Sequence, residues 1–277
     1  MGQIEERVSA LQQEAETFKK YLSDLPVEAW SQPSACDRWT VADVICHVGS
    51  QGFAVSITRG LQGTVAPPEG RPPVEQHNED EFAEQIAQRA FATKEQIGDE
   101  LLPWFFKNLD ESIAIFGTIG PDQWDMPCYW PPGPEPVSTL LDMRIAELAM
   151  HAWDIYSQLE PDYHLSEGTV GALIDTVPRA VRRAFRSDPD LAVPITYRLN
   201  ISSPAAVGFD IVLAQEGAQI GPASTDNADV IFTCDGETYV LVMYGRLTPD
   251  AAMADGRLTF EGDSALAAGF GQRFKGG

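Results

Sequence analysis

Ile4, Val8, Leu11, Phe18 and Leu22 recur at helical spacing among Glu, Gln and Lys, which predicts a first helix over 4–23. Leu25-Pro26 and Ser31-Gln32-Pro33 break that pattern. Thr40 then reads as an N-cap with Asp43 as a short capping-box partner, and Val41, Val44, Ile45 and Val48 form the buried side of a second helix. His47 falls beside that side, where a solitary histidine is usually structural. From Gly60 to Asn78 the chain is rich in Pro and Gly and has no helix or strand signal, as expected of a lid or a flexible loop. His77 within it reads as a solvated loop residue rather than a ligand. A long helical region follows over about 79–118, kinked or divided at Pro103 and ended by Gly120-Pro121. A rigid aromatic loop from Trp124 to Pro136 leads to Ser138, the expected cap of a fourth long helix. Four long helices with one crossover loop predict a bundle, whose ligand sites are built from inward side chains on facing helices.

The fourth helix carries the most informative stretch. With 100° per residue, Glu147, His151 and Asp154 fall within about 80° of Arg144. Leu141, Leu148, Ala152 and Ile155 form an apolar stripe beside them, so the ionisable stripe is expected to face inward. Unpaired charges cost several kcal/mol to desolvate, so a metal ion or mutual pairing must compensate them. An Arg144–Glu147 salt bridge beside a satisfied core histidine accounts for the stretch about as well as a metal does.

Around Glu160 to His164 the character changes. A helix is predicted over about 166–186, basic on one side through Arg179, Arg182, Arg183 and Arg186. Ile195, Tyr197, Leu199 and Ile201 then alternate with polar residues, and Phe209–Leu213, Val230–Thr233 and Leu258–Phe260 read as further strands. Thr238 to Tyr244 fits a strand by propensity and also a helix. Thr248-Pro249 opens a short helix ended by Gly256, and a last helix follows Asp263. The chain is therefore divided into a helical domain, 1–162, and an α+β domain, 163–277.

At 277 residues there is enough chain for two cores, and 44% hydrophobic with 22% charged residues is the balance of a soluble globular protein. Lys and Arg number 19 against 41 Asp and Glu, a net charge of −22 that argues against nucleic-acid and anionic-membrane partners. An anionic substrate would need a local cationic pocket. No basic-then-apolar order marks Met1–Arg7, so a cytoplasmic location is expected. Cys36, Cys46, Cys128 and Cys234 have no paired spacing and read as reduced core thiols, and Cys46 cannot pair with the adjacent His47 on a helix.

Two segments carry a resemblance. Cys36, Trp39, Thr40, Val41, Asp43, Val44 and His47 are similar to the first signature of DinB-like thiol-dependent enzymes, whose best-known members are the mycothiol-dependent maleylpyruvate isomerases. Arg144, Glu147, His151, Trp153 and Asp154 resemble their second signature. Tyr244–Leu247 and Leu258–Asp263 resemble the SCP2-like domain that often follows. The resemblance implies a DinB-like four-helix bundle followed by an SCP2-like α+β domain. It further implies that His47, Glu147 and His151 bind one divalent metal. Two imidazoles and a carboxylate suit zinc first, and also iron, manganese, cobalt or nickel. The metal would stabilise the thiolate of a low-molecular-weight thiol such as mycothiol, for transfer to, or cis–trans isomerisation of, an electrophilic small molecule. Arg144 would steady Glu147 or meet an acidic substrate, and Arg246 resembles an arginine of the C-terminal domain thought to reach the site. Asp154 either orients a ligand or is a surface acid, and the Pro-rich 61–78 and Trp130 loops would shape the pocket. A small-molecule or lipid carrier with the bundle as scaffold, and a thiol-independent metal hydrolase or lyase, stand as alternatives. Monomer and homodimer both remain open.

Overall fold

The first helix, α1 (Gly2–Asp24), buries Leu11, Phe18 and Leu22, the positions its periodicity singles out. The computed structural model describes the chain apart from Met1, His77, Pro161, 177–184, 186–190, Glu216, 225–226 and 275–277. The expectation for His77 therefore lies outside the described residues. The chain forms two units, Met1–Tyr163 and His164–Gly277.

In the first unit, α1 packs on α5 (Leu101–Ala114) and α6 (Val137–Leu159), and α2 (Val41–Val48) packs on α4 (Glu79–Ile97), α5 and α6. Phe18 sits edge-on to Phe105 and Tyr156 at 5.7 and 5.8 Å, which joins α1, α5 and α6 in one core. Burial of each such ring contributes roughly 1.5–3 kcal/mol. Helix α2 begins as the sequence indicates. Thr40 N–H donates to Asp43 Oδ2 at 2.9 Å, and the Asp43 N–H donates back to Thr40 Oγ1. Asp43 also pairs with Lys94 of α4, so the cap fixes the helix pair as well as the helix end.

Several expectations are corrected. The 79–118 region divides at Gly98, whose φ of 56° suits a glycine, and not at Pro103. Pro103 instead occupies the first turn of α5, where a missing N–H breaks no helical bond. The N-cap of α6 is Pro136, and Ser138 lies inside the helix with its N–H donating to the Trp124 carbonyl. The aromatic loop holds a small antiparallel pair, β1 (Pro127–Cys128) and β2 (Glu135–Pro136). A further helix, α3 (Gly52–Leu61), follows α2 directly. Among its described residues, the Pro-rich connection then makes a short turn of 3₁₀ helix at Val74–Gln76.

The second unit opens with α7 (Glu167–Ile174). The extension of this helix to 186, with Arg179, Arg182, Arg183 and Arg186, lies outside the described residues. A five-stranded sheet follows, ordered β5 (Gly217–Pro222), β4 (Val207–Ala214), β3 (Ile195–Ile201), β6 (Val230–Cys234) and β7 (Thr259–Gly262). Only β3 and β6 run parallel. The ambiguous 238–244 segment is helical, α8 (Gly236–Met243), because Asp235 caps it by accepting from the Thr238 N–H at 2.7 Å. Short α9 (Pro249–Ala254) and final α10 (Ser264–Arg273) follow. Phe270 of α10 packs on Tyr197 and Phe232 of the sheet at 5.0 and 4.9 Å.

Across β3 and β4, Arg198 grips Asp210 with two bonds of 2.7 and 2.9 Å. The Arg198 hydrogen bonds, helped by Ser224, hold the Asp210 carboxyl down to about 2 against the burial that raises it. A depressed carboxyl stabilises the fold above its unfolded pKa and loses that contribution as pH falls through the folded value. The second unit is therefore expected to lose about 2 kcal/mol between pH 4 and 2 on this account alone. Urea melts of parent and Asp210→Asn at both pH values check this: the pH-dependent loss should be smaller in the variant.

Candidate metal centre

The inward stripe of α6 is buried, with Arg144 and Asp154 each 1% exposed, so Asp154 is not a surface acid. His47, in the last turn of α2, faces this stripe, and its Nε2 lies 2.6 Å from Glu147 Oε1. His151, one turn along α6 from Glu147, brings its Nε2 to 3.8 Å from the same oxygen. The ligand atoms of His47, Glu147 and His151 all lie within 4.8 Å of one another. The two imidazole rings meet edge to face, with centroids 4.8 Å apart. Trp39, just before α2, covers both at 5.0 and 6.2 Å and shields them from water on that side.

On its far side, His151 Nδ1 is 2.9 Å from Asp154 Oδ2, one helical turn on. A carboxylate there accepts the Nδ1 proton and leaves the Nε2 lone pair directed at Glu147. Burial lowers the His151 pKa and outweighs the Asp154 and Glu147 carboxylates that raise it, so the neutral ring is favoured. Burial also opposes the Glu147 charge, but His47, then His151 and Arg144, prevail and hold its carboxyl well below the usual range. Two imidazole nitrogens and a carboxylate oxygen, converging from facing helices, form a donor set that suits a borderline divalent cation.

Arg144 does something the sequence did not single out. Its Nη2 donates to the Val48 carbonyl at 3.0 Å and to Ser112 Oγ at 3.3 Å, and its guanidinium lies 5.6 Å from the Phe53 ring centre. No ion pair joins Arg144 to Glu147 among the described residues, although its charge still favours the Glu147 carboxylate. Val48 ends α2, so Arg144 caps an orphan helix carbonyl next to His47. Arg246 belongs to the second unit, where its Nη1 donates to the Tyr244 carbonyl at 2.9 Å.

Among the cysteines, Cys46, Cys128 and Cys234 are buried and free as expected, and burial pushes their thiols up to about 12, 11 and 12. Cys36 departs from that expectation. It is half-buried, and its thiol donates to Asp154 Oδ2 at 2.9 Å. No spacing rule joins residue 36 to residue 154, and only the motif shared with Trp39 and His47 hinted at it.

A helical bundle with a histidine–carboxylate centre on two facing helices, followed by an α+β unit on a five-stranded sheet, defines a two-domain class. The family model for the mycothiol maleylpyruvate isomerase N-terminal domain matches residues 11–156, and the chain belongs to that family. The SCP-2 sterol transfer family matches residues 193–275. Among solved structures, a mutant of the mycothiol-dependent maleylpyruvate isomerase is similar over 93% of this chain and 92% of its own, at 15% identity and a TM-score of 0.57. Another structure titled as the same isomerase covers 88% and 89% at 16% identity, with a TM-score of 0.57. At such identities the likeness is one of fold. No curated protein matches the chain. No described helix is long and apolar enough to cross a membrane.

Proposed function

We propose that this protein is a divalent-metal enzyme that uses a low-molecular-weight thiol, mycothiol or a close relative, to act on an electrophilic small molecule by thiol transfer or cis–trans isomerisation. The observation that carries the reading is the convergence of the His47, Glu147 and His151 ligand atoms within 4.8 Å. Membership of the mycothiol isomerase family supports the choice of thiol. Zinc is the metal the donor set suits first. When bound, it supplies a Lewis acid that lowers the pKa of a coordinated thiol, so that a thiolate nucleophile is present near neutral pH.

The chain's own part is to keep the donors ready. Glu147 stays ionised because imidazoles and a buried guanidinium surround it, and Asp154 holds His151 in the tautomer that presents Nε2. Trp39 limits water on one side of the imidazoles. Three protein donors leave positions for the thiol. Arg144 acts as a positioning residue through α2. Arg246 is a candidate catalytic residue on the strength of the family resemblance alone.

Elemental analysis of protein purified without chelator tests the reading, with His47→Ala and His151→Ala as controls. Near-stoichiometric metal is expected in the parent and strong loss in both variants, each lacking one of three protein ligands. Turnover of an electrophile should appear only when mycothiol is supplied. Metal-free parent protein carrying an apolar ligand would point to a carrier, and activity without thiol to a hydrolase or lyase.

A further inference from the structure

We propose that Cys36, His151 and Asp154 form a second cation position, selective for thiophilic ions and alternative to the first. It is distinct in its atoms from the centre described above. Cys36 Sγ, His151 Nδ1 and Asp154 Oδ2 offer a sulfur, a nitrogen and an oxygen, all within 4.8 Å of one another. Their separations are 2.9 Å (Sγ to Oδ2), 3.6 Å (Sγ to Nδ1) and 2.9 Å (Nδ1 to Oδ2). A tetrahedral zinc with such ligands holds them about 3.3–3.6 Å apart, so shifts of a few tenths of an ångström suffice.

The position is built, not incidental. Ala35 N–H donates to the Asp154 carbonyl at 2.8 Å, which ties the Cys36 loop to α6. Cys36 N–H donates to Ser34 Oγ at 3.1 Å, and Ser34 Oγ and N–H both donate to the Trp39 carbonyl. Arg38 closes the turn at a φ of 65°, a conformation that side chains other than glycine rarely adopt. The result places a half-buried sulfur over a carboxylate that is itself 1% exposed.

Sulfur makes the difference in selectivity. The first position offers only nitrogen and oxygen, whereas a thiolate favours soft cations such as cadmium. Binding forms bonds from the cation to Sγ, Nδ1 and Oδ2. The Cys36 proton leaves to solvent, and the single ring proton of His151 then resides on Nε2. A neutral imidazole has one lone pair, so His151 serves one position at a time. This alternation rests on the proposed function; the second position itself does not.

Cadmium titration followed by thiolate-to-cadmium absorption and by equilibrium dialysis tests it. The parent is expected to bind one cadmium with the sulfur band. Cys36→Ser keeps a hydrogen-bond donor to Asp154 and so keeps the fold, checked by circular dichroism. It should lose the band and bind its one cadmium at the first position. Glu147→Gln should keep the band, because Glu147 is not a ligand here. Asp154→Asn should weaken the banded complex about tenfold or more. A parent without the band, or a band undiminished in Cys36→Ser, overturns the proposal. Two cadmium ions bound at once by the parent overturn the alternation. Failure of Cys36→Ser to bind any cadmium, with the band intact in the parent and Glu147→Gln, counts against the first position alone.

Discussion

Glu147→Gln is expected to abolish the metal response of the protein at the first position. The amide is nearly isosteric with the carboxylate, so packing changes little, but it removes the one anionic donor of the three. Metal affinity there should fall at least about 100-fold, with thiol-dependent turnover falling alongside it. A ligand that binds only the native state stabilises it by about 2.7 kcal/mol at 100 times its Kd. In a Cys36→Ser background, which removes the sulfur of the second position, added zinc should therefore raise the melting temperature by several degrees, and adding Glu147→Gln should leave it almost unmoved. The variant's own metal-free stability is a separate readout. The substituted amide can still bond with His47, so only a modest loss is expected without metal. A zinc-induced shift as large in the double variant as in Cys36→Ser alone would falsify the assignment of Glu147 as a ligand.

Arg144→Met should produce the largest loss of stability, about 3–5 kcal/mol, because it removes one charge from a buried, mutually compensated group. Methionine fills part of the volume, so the loss is mainly electrostatic. The Val48 carbonyl loses the donor that closes the end of α2, and Ser112 Oγ loses a partner. The Glu147 carboxylate keeps His47 and His151 but loses the third charge that favours its ionisation. Urea denaturation followed by circular dichroism measures the stability. A second effect distinguishes positioning from packing: zinc affinity should fall too, since His47 precedes the residue that Arg144 anchors. Full metal affinity in a destabilised Arg144→Met would restrict Arg144 to the fold.

How much of this was legible beforehand differs by element. Helix α1 was readable because its partners require only one apolar face, which periodicity reports directly. The Thr40–Asp43 cap was readable for a similar reason, since donor and acceptor lie three residues apart. Pro103 misled because a proline breaks a helix only where an N–H is needed, and α5 begins too close to it for that. Ser138 misled likewise, because the Val137 and Ser138 N–H groups donate to the Met126 and Trp124 carbonyls, and α6 starts before the serine could cap it. Helix α3 escaped notice because its apolar residues continue those of α2 across the Gly49–Gln51 break.

The same division runs through the site. Glu147, His151 and Asp154 share a face of α6 by helical geometry alone, and residue spacing determined that much. The inward turn of that face followed from the apolar stripe beside it. Tertiary packing decided the rest: that His47 meets Glu147, that Arg144 turns to Val48, and that Cys36 lies on Asp154. Each of these contacts links residues 96 or more positions apart, where local periodicity carries no information. Only the packing of α2, and of the loop before it, against α6 brings such atoms within bonding distance.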